Sequence, residues 1–214
     1  MEVVAAALTG VAGSGLDPAD VAVQLREKDL DGRALTDLGR ALRATTTAAG
    51  VRLFINDRID VALAVGADGV HLGGTSLAPA EVRALAPMLA PAVSTHGAAD
   101  VRAAVGDPAR VAFAVFGPIR DTPSKRAYGP PLGFGALAEA ARLALPVLPL
   151  LALGGLDAED VPQVLAAGAH GVACIRPVMA ATDPEAAVRM LCRALARDLS
   201  RPLATSSVSP PYRT

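Results

Sequence analysis

The sequence predicts an α/β protein, a (β/α)8 TIM barrel that lacks its first β-strand. Three observations predict it. Short apolar or β-branched runs alternate with longer Ala/Leu-rich segments, the pattern of right-handed βαβ units and a parallel sheet. The 214-residue chain is 52% hydrophobic but only 3% aromatic and has no Trp, so Val, Leu, Ile and Ala must build the core, as they do in a parallel sheet sheathed by Ala-rich helices. Polar residues gather at the C-terminal ends of nearly every run. In a barrel those ends converge on one mouth, whereas a doubly wound open sheet would string them along a line.

The chain opens in a helical segment, 3–8, with no strand before it. Strands are predicted at 21–26, 51–56, 69–72, 92–96, 111–116, 147–153 and 171–175, one short of a complete barrel. Helices are predicted at 34–49, 79–89, 98–105, 136–143, 158–167 and 184–199. Asp157 is expected to cap the fifth of these, with Gly168 as the left-handed residue after it. Asp183 followed by Pro184 opens the last helix, with Pro at its first position. Residues 1–199 are expected to form one domain. The polar, Pro-rich stretch 200–214, ending SSVSPPYRT, is expected to be a disordered tail.

A formal net charge of −1 excludes the strong basic excess of a nucleic-acid or membrane-surface binder. The start MEVVAAALTG has no basic region before its short apolar run, and no uninterrupted apolar stretch is long enough to span a bilayer. Cys174 and Cys192 lack metal-ligand spacing and read as two small buried hydrophobes in a reducing, cytoplasmic setting.

The chemistry-bearing residues lie at the strand ends. In Gln24-Leu25-Arg26-Glu27-Lys28, alternation would place Gln24, Arg26 and Lys28 on one side of a strand. Two cations and a donor facing a barrel interior call for an anion such as a phosphate or pyrophosphate. The bland alternative is a solvated strand end paired with Glu27, Asp29 and Asp31. Asn56-Asp57 offers hard oxygen ligands suited to Mg²⁺, or equally a cap for a helix starting near Ile59. His71 and His96 sit at apolar strands, where histidine is more often a hydrogen-bonded core residue than a base, and His170 lies in a helix–strand turn with no evident role. Thr122, Ser124 and Lys125 place two hydroxyls and an ammonium on one loop, the makings of an anion clamp. Gly154-Gly155 is either a tight turn or an approach of backbone N–H groups to a phosphate, and the helix start after Ile175 is a second such place.

Taken together, Gln-x-Arg-x-Lys, Asn-Asp, Val-His-Leu-Gly, Val-Ser-x-His, Phe-Gly-Pro-Ile, Thr-x-Ser-Lys and Leu-Gly-Gly, in this order across 21–195, resemble the thiamine-phosphate synthase and thiazole tautomerase family. The resemblance implies a transferase of thiamine biosynthesis that joins hydroxymethylpyrimidine pyrophosphate to thiazole phosphate and releases pyrophosphate with Mg²⁺ present. It assigns Gln24, Arg26, Lys28 and Asn56 to the pyrophosphate, Asp57 to Mg²⁺ and Ser94 to the pyrimidine. Thr122, Ser124 and Lys125 would contact the leaving group and the thiazole phosphate, with Gly154, Gly155 and the amides near Ile175 completing the phosphate site. Arg26, Lys28 and Lys125 would be the catalytic cations.

Three departures stand out. Ser76 occupies the position of the family's second Mg²⁺-binding Asp, Arg176-Pro177 follows Ile175 where the family has Ser and a small residue, and the first strand is absent. They open the alternative of a phosphate-binding or regulatory paralogue without turnover. Pro118 replaces the His that marks the tautomerase and argues against that chemistry. An absent strand also leaves sheet edges to cover, so a homodimer is expected.

Overall fold

The computed structural model describes residues 1–121 and 130–199. Its seven strands form one parallel sheet in chain order: β1 (Ala22–Leu25), β2 (Arg52–Asn56), β3 (Gly69–Leu72), β4 (Ala90–Thr95), β5 (Ala114–Phe116), β6 (Leu150–Leu153) and β7 (Gly171–Ala173). The helices are α1 (Glu2–Thr9), α2 (Gly32–Ala49), α3 (Ile59–Val65), α4 (Pro79–Leu85), α5 (Ala98–Gly106), α6 (Gly133–Ala144), α7 (Val161–Ala166), α8 (Arg176–Met179) and α9 (Pro184–Leu199). All seven predicted strands are present. Among the described residues β1 pairs only with β2, and β7 only with β6. The sheet is thus the curled sheet of a (β/α)8 barrel with one strand absent.

The helical ring closes where the sheet does not. α1 packs on α9 and α2. Leu8, Val11, Val51 and Cys192 form a small core there. The approach is close enough that a Cβ on Gly10 would fall 2.2 Å from the carbonyl oxygen of Glu185.

Alternation along the strands sorts the rest. Leu25, Leu53 and Ile55 face outward and pack on Leu35 and Leu42 of α2 and on Val61 of α3. Across the sheet, Phe116 and Leu150 pack on Leu137 of α6 and Val164 of α7. Phe54, between Leu53 and Ile55, points into the barrel. Its ring meets Phe113 edge-to-face with centroids 5.0 Å apart, a geometry worth about 0.5–1.5 kcal/mol beyond its burial. Gly69 makes room for that ring, since a Cβ there would lie 2.3 Å from Phe54 Cε1. The scarce aromatics therefore fill the barrel interior as well as the helix-facing core.

Several predicted boundaries shift, each for a physical reason. β1 ends at Leu25, the last residue laddered to β2, so Arg26 and Lys28 stand in the exposed loop after the strand and not on its face. β6 begins at Leu150 because the N–H groups of Val147 and Leu148 still bond to Ala144 at the end of α6. α4 stops at Leu85: Ala86 precedes Pro87 and leaves the helical region. α7 starts at Val161 with Asp160 before it, not at 158. Asp157 is not its cap; the carboxylate accepts the Glu159 N–H at 2.9 Å inside a turn ahead of the helix. The expected cap of α9 is present, with Asp183 Oδ1 accepting the Ala186 N–H at 2.9 Å. The expected tail, 200–214, lies outside the described residues. No helix among the described residues is long and apolar enough to cross a membrane.

Candidate functional site

The parallel register of β2 and β3 sets Asn56 beside His71 at the C-terminal end of the sheet, and Gln24 of β1, in register with Phe54, lies two residues below Asn56 on the same face. Gln24 Nε2 donates to Asn56 Oδ1 at 3.1 Å, and Asn56 Nδ2 donates to Asp57 Oδ2 at 2.8 Å. The other carboxylate oxygen, Asp57 Oδ1, accepts from the Ser76 hydroxyl, while Ser76 Oγ accepts the Gly73 N–H at 2.6 Å. Gln24, Asn56, Asp57 and Ser76 therefore form one connected polar chain along the mouth. Asp57 holds a left-handed backbone (φ 59°), which Asp tolerates better than most residues and which aims its carboxylate at the β3–α4 loop. Neither Asn56 nor Asp57 caps α3: the residue at that position is Arg58, and no side chain bonds the helix start. The pair is thereby freed for the mouth.

His71 is buried, 4% exposed, and its Nε2 lies 2.8 Å from Ser94 Oγ on β4. Burial pushes its imidazole down to about 4, Asp57 opposing the shift and Arg26 reinforcing it. Arg26 stands exposed in the loop directly after β1, at the same end of the sheet. Ser94 is half-buried. His96 serves the frame instead. Its Nδ1–H donates to the Gly117 carbonyl at 2.6 Å and its backbone N–H to Asp100 at 2.8 Å, tying the ends of β4 and β5 together. His170 Nδ1 accepts the Leu150 N–H at 3.2 Å and serves the start of β6, as its lack of an evident role suggested.

On the opposite side of the mouth, backbone geometry replaces side-chain bonding. Gly154 (φ 109°) and Gly155 (φ 67°) end β6 in conformations that favour glycine. The 118–121 segment lies directly against them: a Cβ on Gly154 would sit 2.7 Å from Pro118 Cα, and one on Gly155 2.9 Å from Arg120 Cβ. Ile119 and Arg120 donate their N–H groups to Leu153 and Gly154 at 2.8 and 2.9 Å. The close backbone approach is thus to a neighbouring loop. Ile175 stands 65% exposed before the single turn of α8, and Pro177 removes one N–H from that turn. Thr122, Ser124 and Lys125 lie outside the described residues.

Sequence reasoning misses the clamp beside these loops. Arg120 pairs with Asp160, 40 residues away, and its guanidinium lies 5.5 Å from the Phe134 ring centroid. Asp160 also accepts the Asp157 N–H at 3.1 Å. No local pattern announces a pair so distant in sequence. The two thiols match the small-hydrophobe reading. Burial pushes Cys174 up to about 11, with Cys192 adding to the shift, and burial likewise raises Cys192.

A parallel β/α barrel with hard oxygen donors, an arginine and a hydrogen-bonded serine around its C-terminal mouth defines the class of barrel proteins that act on small phosphorylated molecules. The chain belongs to the thiamine monophosphate synthase family, whose family model matches residues 2–178. It is 46% identical over 176 residues to the thiamine-phosphate synthase of Methanoculleus marisnigri, covering 81% of this chain and 80% of that one. To the thiamine-phosphate synthase of Roseiflexus castenholzii it is 43% identical over 194 residues, covering 90% and 79%. The solved structure of thiamine phosphate pyrophosphorylase from Pyrococcus furiosus superposes with a TM-score of 0.78 at 26% identity, over 94% of this chain and 91% of that one. A 3-hexulose-6-phosphate synthase structure, at 20% identity and a TM-score of 0.61 over 90% and 94%, shares the fold alone.

Proposed function

We propose that the protein is a thiamine-phosphate synthase: it transfers the hydroxymethylpyrimidine group from its pyrophosphate ester to the ring nitrogen of thiazole phosphate. The observation that carries this reading is the connected chain Gln24–Asn56–Asp57–Ser76 at the mouth, with Arg26 in the loop after β1 and the His71–Ser94 pair on β3 and β4. Family membership supplies the substrate class.

In the reaction the C–O bond to pyrophosphate breaks and its electron pair leaves with the pyrophosphate. The electron-rich aminopyrimidine stabilises the resulting methylene cation, and the thiazole nitrogen lone pair forms the new C–N bond. No protein nucleophile is needed. The chain's work is to neutralise the leaving group and hold two rings in line. Arg26 and Lys28, on the exposed loop after β1, would take the pyrophosphate oxygens; Gln24 and Asn56 would orient them. Lys125, Thr122 and Ser124, outside the described residues, would complete this reading, and Gly154, Gly155 and Ile175 would border the thiazole phosphate.

The donor set fits Mg²⁺. Asp57 offers a carboxylate and Ser76 a hydroxyl oxygen, hard donors of the kind Mg²⁺ takes. One carboxylate is within what Mg²⁺ uses when substrate phosphates supply further oxygens. Bound there, Mg²⁺ would supply charge neutralisation for the departing pyrophosphate.

The test is pyrophosphate release with both substrates, with and without Mg²⁺. Mg²⁺-dependent turnover is expected. Binding of thiamine phosphate with no turnover would replace this reading by the non-catalytic paralogue that the neutral Ser76 motivates. Calorimetry of Mg²⁺ with pyrophosphate checks the metal assignment separately: Ser76→Asp adds a second carboxylate and is expected to tighten Mg²⁺ about tenfold or more. An unchanged affinity would remove Ser76 from the metal site. A cytoplasmic location, consistent with the free Cys174 and Cys192, belongs to the same proposal. So does a homodimer, motivated by the unshared edges of β1 and β7, and scattering that returns a monomer would remove it.

A further inference from the structure

His71 is unusual among the mouth residues because half of its ring is accounted for and half is not. Nε2 has Ser94 Oγ at 2.8 Å, whereas Nδ1 is buried with no hydrogen-bond partner among the described residues. A neutral imidazole carries one N–H and one bare lone pair. If the proton sat on Nδ1, a buried donor would be orphaned, the rarer and more costly defect in folded proteins. If it sits on Nε2, that N–H donates to Ser94 Oγ, and only a lone pair goes unused. The second ring nitrogen offers an imidazolium no acceptor, so the ring is held neutral as well as oriented. Phe113, its ring centroid 6.2 Å away, packs beside it and gives the imidazole no polar alternative.

The tautomer decides what Ser94 can do. A hydroxyl that already accepts from Nε2–H keeps its own hydrogen for another partner, and no protein acceptor for that hydrogen is found among the described residues. We propose that His71 is a positioning residue that fixes Ser94 as a hydrogen-bond donor into the mouth, selecting a substrate ring that presents an unprotonated nitrogen or another lone pair at that point. This rests on the synthase reading for the identity of that ring, the aminopyrimidine, but not for the direction of the His71–Ser94 bond. Specificity at this point then comes from one buried ring on the strand next to the carboxylate, and not from the cations that bind phosphate. A ring group that can only donate would leave two hydrogens facing one another and be rejected.

Two measurements separate the proposal from the reading it builds on. In nitrogen-15 spectra of the free protein, with only three histidines to assign, His71 is expected as the Nε2–H tautomer, with slow exchange that is lost in Ser94→Ala. A proton on Nδ1 would overturn the proposal whatever the enzyme does. In steady-state kinetics, His71→Leu and Ser94→Ala are each expected to raise KM for the pyrimidine pyrophosphate about tenfold. KM for thiazole phosphate is expected to stay within about twofold, because only one ring contacts Ser94. The double variant is expected to be no worse than either single one, and His71→Gln, which keeps an N–H near the position of Nε2, to recover most of the loss. Multiplying losses in folded variants, with thermal denaturation confirming the fold, would overturn it. Wild-type protein without turnover would sink the synthase reading and leave the spectra to decide this one.

Discussion

The two sides of the barrel mouth are built on different principles. From β1 to β4 the strand ends carry polar side chains that bond one another across neighbouring strands: Gln24 to Asn56, Asn56 to Asp57, Asp57 to Ser76, and His71 to Ser94. At β5 and β6 the strand ends carry glycine and proline, and the loops are held by backbone bonds from Ile119 and Arg120 to Leu153 and Gly154, with the Arg120–Asp160 pair beside them. The first side can vary its chemistry by exchanging side chains on a fixed frame, as Ser76 illustrates. The second side has its shape set by close backbone contact, so most exchanges there act on folding. Between Arg26 on the first side and Gly154 on the second, effects on turnover and on stability are therefore expected to separate.

The sharpest way to break that comparison is Arg26→Ala. Removing one preorganised cation from the leaving group is expected to cut turnover roughly 100- to 1000-fold. The melting temperature is expected to stay put, because Arg26 stands in an exposed loop. A large drop in melting temperature would show that the first side is structural too. Gly154→Ala is the mirror experiment. Its Cβ would meet Pro118 at 2.7 Å in a conformation with φ 109°, and urea denaturation is expected to read a loss of about 3 kcal/mol. Unchanged stability would mean that the loop contact is slack and the glycine is there for a ligand.

Smaller effects sharpen the boundary between the sides. Asp160→Ala removes the partner of Arg120 and the acceptor for the Asp157 N–H. A loss of about 1–2 kcal/mol is expected, with KM values little changed. The smallest effect concerns the thiols. With Cys174 pushed up to about 11 and Cys192 also raised, both stay protonated at pH 8, and alkylation of the folded protein is expected to run well below the rate of a free thiol. It accelerates only as pH climbs toward the raised values. Rapid labelling at pH 8 would show that the α1–α9 packing around Cys192 opens.

Much of this was legible without coordinates. All seven strands fall where apolar runs predict them, because burial on both faces leaves a continuous hydrophobic signature. Strand ends were less legible: a ladder stops where its neighbour stops pairing, which is how Arg26 and Lys28 came off the strand. At Asn56 and Asp57, cap and ligand were equally good readings of the same two residues. The position of Arg58 at the start of α3 removes the cap reading, and Ser76 arrives as a hydrogen-bond partner of Asp57. The histidines divide in the same way. His96 and His170 do serve the frame through backbone partners, but His71 meets a serine on the next strand, which no local pattern contains.

By itself the sequence determined the order of elements, the curled sheet one strand short of a barrel, and the residue types available at the mouth, since these follow from periodicity and composition along the chain. Tertiary structure alone decided which of those residues touch. The Asp57–Ser76 and His71–Ser94 contacts span 19 and 23 residues, and the Arg120–Asp160 clamp spans 40. Parallel register brings such pairs together only after the intervening helix has crossed back over the sheet, so the pairing is a property of packed layers and has no local signature.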